Sequence, residues 1–317
     1  MATRAPASPG AAPTMSTDTD HASDRLLRRV EAVGAPICVG LDPVWEKLPA
    51  TLRAGHAGLP SDASAAAALE RFSVAVLDAV RGLAPAVKIQ AACFERHGAE
   101  GYAALARTLA AAHEGFQVIL DWKRGDIGVS AEHYAQASRA ALASDWTTVN
   151  SYLGTDGIEP FLQPGADEHG HGAFALVRTS NPSGDALQSL RLQDGRTVSE
   201  AVADMVAAAG VLRLGSRGYS DLGAVVGATK RADAAALRTR MPRQIFLVPG
   251  FGAQGGGVDD VLPCFNTDGQ GALITASRSV IYAFKPDDAR WTDSVRRAAE
   301  EFHQQIARGL GVRGAGR

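Results

Sequence analysis

The sequence predicts an α/β fold, a closed (β/α)8 TIM barrel, and three observations carry that expectation. Short apolar runs rich in β-branched residues recur eight times, Ala-rich stretches of helical composition separate them, and no linker divides the core. Strands alternating with helices imply a parallel sheet with helical crossovers. Within a core of about 250 residues, closing eight strands into a barrel is the economical arrangement. An open doubly wound sheet is the second choice.

In chain order the strand segments are PICVGLD (36–42), PAVKIQ (85–90), FQVILD (116–121) and WTTVNSY (146–152), then AFALVRTS (173–180), GAVVGAT (223–229), QIFLVPG (244–250) and GALITAS (271–277). Intervening segments such as SDASAAAALERFSVAVLDAVRGL and GYAALARTLAAAHEGF have helical composition and capping residues at their starts. After strand five, NPSGDALQSLRLQDGRTVSE breaks the rhythm: QDG reads as a hairpin turn, and a helix follows over 198–212. In a barrel this is an enlarged loop on the catalytic face. The opening MATRAPASPGAAPTMSTDTD is small, Pro-rich and polar, without the continuous apolar segment of a secretory signal. The expected organisation is therefore a disordered extension over 1–22, one barrel catalytic domain over 23–308 and a frayed tail over 309–317.

Composition excludes several function classes. The 32 basic and 34 acidic residues give a net charge of −2, so no global field draws in nucleic acid or an anionic membrane. No run approaches the roughly 20 apolar residues needed to span a bilayer. The three cysteines, Cys38, Cys93 and Cys264, are far apart and outside any CxxC spacing. That pattern fits a reducing cytoplasm without a disulfide frame or structural zinc.

The segment DWKRGDIG (121–128) places Asp121, Lys123, Arg124 and Asp126 directly behind the apolar run FQVIL. Taken alone, this is a solvated turn. Other strand ends carry polar groups too: Asp42 after strand one, Lys88 and Gln90 in strand two, Ser180 after strand five, Gly250 to Gly257 after strand seven and Arg278 after strand eight. Barrel active sites lie at the C-terminal ends of the strands, so these loops would deliver their polar groups to one mouth. Asp121 and Lys123 are two apart, and continued extension would set both on one face, with Trp122 and Arg124 on the other.

Gly250, Gly252 and Gly255 in PGFGAQGGG match GxGxxG literally. A dinucleotide fold wants that match near the first strand, with an acid about 20 residues on. Here it follows the seventh strand and no acid is so placed, so a phosphate cradle of backbone N–H groups fits better. Gln254 adds a side-chain donor, and Arg278 a bidentate fork. His169 and His171 lie in the Asp/Gly-rich DEHGHG and read as solvated loop rather than metal ligands, and His133 reads as helix surface. No Ser or Cys has a persuasive base partner.

With Lys88, DWKRGDI, PGFGAQGG and SRS in this order, the chain resembles orotidine 5′-phosphate decarboxylases over nearly all of residues 25–305. The DxKxxD hallmark is matched by Asp121, Lys123 and Asp126, and LVRTSNPSG with its long loop is similar to the longer bacterial (type 2) branch. The resemblance implies a cofactor-free, metal-free homodimer with shared active sites, turning orotidine 5′-phosphate into UMP and carbon dioxide. It implies that Lys88, Asp121, Lys123 and Asp126 form an alternating charged array, with Asp126 and Ile127 supplied by the neighbouring subunit. Asp42 and Lys88 would hold ribose hydroxyls, Ser180 the pyrimidine, and Gln254 and Arg278 the phosphate. Pro249, Gly255 and Ser277 would line the substrate site. Ser130 stands where many relatives carry Thr and would also reach across the dimer.

The physics of the reaction agrees. Loss of carbon dioxide leaves an electron pair at C6 that the ring cannot delocalise as an enolate, so preorganised charges must stabilise it. The nearest rival is a metal-dependent sugar-phosphate enzyme of the same superfamily, whose second strand carries an acidic ligand where this chain has Lys88. A Schiff-base aldolase wants a neutral lysine, which the acids around Lys123 oppose. A non-catalytic phosphate-binding protein would need the phosphate loops but no charged array.

Overall fold

The computed structural model describes residues 21–54, 60–163, 170–228, 231–252 and 257–311. Eight parallel strands close into a barrel in sequence order: β1 Ile37–Leu41, β2 Ala86–Gln90, β3 Gln117–Arg124, β4 Trp146–Val149, β5 Gly172–Arg178, β6 Leu222–Val226, β7 Phe246–Pro249 and β8 Ala272–Ala276. β1 pairs with both β2 and β8, which completes the ring. Every strand expected from sequence is present. Helices cover the outside, and none among the described residues is long and apolar enough to cross a membrane.

Local chemistry explains where the helices begin. Ser61 opens the Asp62–Val80 helix by accepting a hydrogen bond from the Ser64 N–H. Thr197 and Glu200 form a reciprocal capping box at the start of Val198–Gly210, satisfying two N–H groups that the first turn would leave unpaired. The Ala22–Val33 helix packs Leu26 and Leu27 against the barrel interior from the N-terminal side. Its buried Asp24 accepts from the Ser216 and Arg217 N–H groups at 2.8 and 3.0 Å, which pins the helix there.

The interior is filled by side chains from alternate strand positions, as the two-residue period requires. Trp146 and Phe174 stack with centroids 4.6 Å apart. Gly172 makes room for them: a Cβ there would come within 2.2 Å of the Trp146 ring. Above this apolar plug, inward positions switch to Lys88 and Asp121, and the site begins.

Two local departures from expectation, at Asn150 and at His171, have physical causes. Strand four stops at Val149 because Asn150 turns the chain, its Oδ1 accepting from the Tyr152 N–H at 3.0 Å. The loop after β5 holds the expected hairpin, an antiparallel bridge between Arg191 and Thr197 with Gly195 at φ 87°. It is anchored by the buried Arg178, whose guanidinium reaches Asp233 at 2.8 Å, Asp185 at 2.6 Å and Gln188 at 3.1 Å. His171 is buried rather than solvated, with Nδ1 3.0 Å from the Ser144 carbonyl oxygen. His169 lies outside the described residues.

Candidate active site

β3 carries the densest chemistry and the least regular backbone. Its register against β4 slips between Leu120 and Arg124. Lys123 sits at φ 47°, a left-handed conformation that costs a non-glycine residue roughly 1–2 kcal/mol. The expected same-face arrangement of Asp121 and Lys123 holds, but by this turn rather than by continued extension. On the opposite face, Arg124 lies 4.8 Å from the Trp122 ring and 5.4 Å from the Tyr134 ring and pairs with Glu95. That cation–π clamp holds the outer side of the turn.

Asp121 is the hub. Its Oδ2 accepts from Lys88 Nζ at 2.6 Å and Gln90 Nε2 at 3.2 Å. Its Oδ1 accepts from Lys123 Nζ at 2.6 Å and the Thr148 hydroxyl at 2.9 Å. Lys88 also reaches Asp42 Oδ1 at 3.5 Å, while Asp42 Oδ2 accepts from Ser277 Oγ at 2.6 Å. Asp42, Lys88, Asp121 and Lys123 thus alternate in sign and sum to zero.

Burial alone would raise the Asp121 carboxyl, but Lys88 and Lys123 outweigh it and hold the group well below the usual carboxylate range. Burial likewise opposes the Lys88 ammonium, and Asp121 and Asp42 overcome it, raising its pKa above the ordinary lysine value. The depressed Asp121 contributes stability above the unfolded carboxylate pKa of about 4, lost as pH falls through its folded value. The raised Lys88 contributes below about 10.4, lost as pH rises through its folded value. Between those limits the pair stays charged. Burial pushes the nearby Cys38 and Cys93 thiols up to about 12 and about 11, so neither supplies a thiolate.

Asp42, Lys88, Asp121 and Lys123 line a cavity of about 570 Å³ at the C-terminal barrel mouth, within the usual span of small-molecule sites. Of the residues singled out in the sequence, Asp42, Lys88, Asp121, Lys123, Ser180, Pro249, Gly250, Ser277 and Arg278 all border it. Arg278 is exposed at the rim, with no hydrogen-bond or ion-pair partner among the described residues. Gln254 and Gly255 lie outside the described residues.

Asp126, Ile127 and Ser130 do not border the cavity of their own chain. The Asp126 carboxylate accepts from its neighbour's N–H, that of Ile127, at 2.9 Å. Around it Ile127 is 57% exposed, Val129 66% and Tyr152 80%, an apolar surface beside the mouth. The sequence reading missed Thr148 and the apolar wall of Leu176, Val225 and Leu247. Two-residue alternation along β4 to β7 was the available signal, because it turns these side chains inward. Among the described residues, no three His, Cys, Asp or Glu side chains form a metal-binding group.

Comparison with known proteins adds to this geometry. Residues 35–290 match the family described as Orotidine 5′-phosphate decarboxylase / HUMPS. The chain is 42% identical over 297 residues to an orotidine 5′-phosphate decarboxylase of Rhodopirellula baltica, covering 89% of this chain and 97% of the relative. A Clostridium perfringens protein of the same name is 33% identical over 288 residues, covering 90% and 97%. The solved OMP decarboxylase of Leishmania donovani superposes with a TM-score of 0.73 at 31% identity, covering 92% of this chain and all of that one.

Proposed function

The chain belongs to the orotidine 5′-phosphate decarboxylase family and decarboxylates orotidine 5′-phosphate to UMP in pyrimidine biosynthesis, and from that premise we propose that its catalytic device is the Lys88–Asp121–Lys123 array, completed by Asp126 of the partner subunit. The geometry at Asp121 carries the proposal: each carboxylate oxygen takes one lysine at 2.6 Å beside the cavity. Heterolysis of the bond from C6 to the carboxylate releases carbon dioxide and leaves the electron pair on C6. Lys123 Nζ, fixed before the reaction, offsets that charge at no reorganisation cost. It then gives its proton to C6, so a C–H bond forms as the N–H bond breaks, and solvent returns a proton to the amine.

Asp42 and Lys88 hold the ribose hydroxyls, Ser180 contacts the pyrimidine, and Pro249 and Ser277 flank the nucleotide. Arg278 grips the phosphate; a guanidinium at the rim after β8 with no partner among the described residues supports this, since the loops after strands seven and eight are the usual phosphate site of such barrels. A second copy of the chain covers the exposed Ile127, Val129 and Tyr152 surface and brings in Asp126, Ile127 and Ser130. Support comes from their position next to the mouth but outside their own cavity.

Purified protein should deplete orotidine 5′-phosphate absorbance at an undiminished rate after exhaustive chelation, because lysine pairs occupy the carboxylates a metal would need. Activity that vanished with chelator and returned with Mg²⁺ would favour the metal-dependent branch instead. Arg278→Ala should lower kcat/KM by at least about tenfold, roughly 1.4 kcal/mol, chiefly through KM. It lowers kcat as well if phosphate binding drives loop closure. If steady-state kinetics show neither parameter moving, Arg278 is not the phosphate ligand.

A further inference from the structure

The β3–β4 ladder breaks between Leu120 and Arg124 and resumes where the Asn150 N–H donates to the Arg124 carbonyl at 2.7 Å. Across the gap the Thr148 side chain reaches the β3 backbone directly. The Thr148 hydroxyl accepts from the Trp122 N–H at 3.1 Å and the Lys123 N–H at 3.0 Å, and donates to Asp121 Oδ1 at 2.9 Å. A hydroxyl has one donor and two lone pairs, so all three capacities are used. Thr148 is buried, so water does not readily substitute. The same oxygen therefore fixes the carboxylate that carries both lysines and the left-handed backbone from which Lys123 projects.

We infer that Thr148, at the floor of the cavity, is a positioning residue for the decarboxylation, acting through Asp121 and the Lys123 backbone. Valine has nearly the same shape but neither donates nor accepts. It orphans the buried Trp122 amide, the partly buried Lys123 amide and one carboxylate lone pair, and it removes the contact that keeps Lys123 at positive φ. Strained backbone persists only where its surroundings over-determine it, so Lys123 Nζ shifts from the cavity position set by Asp121. Arg278 and Asp42 are untouched, so binding of the phosphate and ribose is preserved.

The inference rests on the reading of Lys123 as the proton donor, and the experiment separates the two. Thr148→Val, Thr148→Ser and Lys123→Ala are purified, checked for folding by thermal melt and UMP calorimetry, and assayed. Thr148→Val should lower kcat by about 10- to 100-fold, the loss expected for a hydrogen bond to a charged group. KM should stay within about threefold, and Thr148→Ser should recover kcat to within about threefold of wild type. If Thr148→Val does not fold, Thr148→Ala takes its place. An unchanged kcat, a loss confined to KM, or a serine variant as impaired as valine would each overturn the role of the hydroxyl. If only those results fail while Lys123→Ala is inactive, the proton-donor reading stands. Turnover by Lys123→Ala overturns both.

Discussion

Lys123→Ala should abolish turnover while leaving UMP binding measurable by calorimetry. In the proposed mechanism the substitution removes two contributions at once: the proton delivered to C6 and the cation that offsets the carbanion. General acid catalysis alone is worth about 10²- to 10⁴-fold, and a single preorganised electrostatic donor about 10²- to 10³-fold. A loss beyond about 10⁴ in kcat is therefore expected. The product has no carboxylate at C6, and Asp42, Ser180, Ser277 and Arg278 still border the cavity, so the proposed anchors of UMP remain. The fold should persist, because the Lys123 side chain is half exposed and Asp121 keeps Lys88, Gln90 and Thr148. Retained turnover would remove Lys123 as the proton donor.

The contrast between Lys123 and Thr148 shows what a sequence of this kind reveals. The eight strands were legible because β-branched runs between Ala-rich helices leave little choice of pairing, and each lies close to its expected span. Asp42, Lys88, Asp121 and Lys123 were legible as polar strand-end residues by type, whereas their grouping into an alternating array came from the resemblance, which counted Asp126 and not Asp42 among its four members. Thr148 was not legible, because a threonine inside a strand is an ordinary strand former until its partner across the ladder is known. Leu176, Val225 and Leu247 look like barrel filling for the same reason. The left-handed turn at Lys123 depends on contacts 25 residues away and carries no local glycine signal. Arg178 anchors the β5 loop through Asp185, seven residues on, and through Asp233, a partner that only the folded barrel brings within reach.

The second large effect concerns Asp126. Its carboxylate sits in the same DxKxxD segment as Lys123, yet it lies outside the cavity its own chain forms. If each site combines Lys123 of one chain with Asp126 of the partner subunit, then Lys123→Ala and Asp126→Ala proteins should each be nearly inactive. Unfolding them together in equal amounts and refolding should give hybrids as about half of all dimers, by random pairing in a two-fold assembly. In each hybrid one site receives both intact residues and the other receives neither. With hybrid formation confirmed by native mass spectrometry, orotidine 5′-phosphate turnover should recover to about a quarter of the wild-type rate, given independent sites and random pairing. If Asp126 serves the site of its own chain, every hybrid site carries one defect, and the mixture stays as inactive as the two parents.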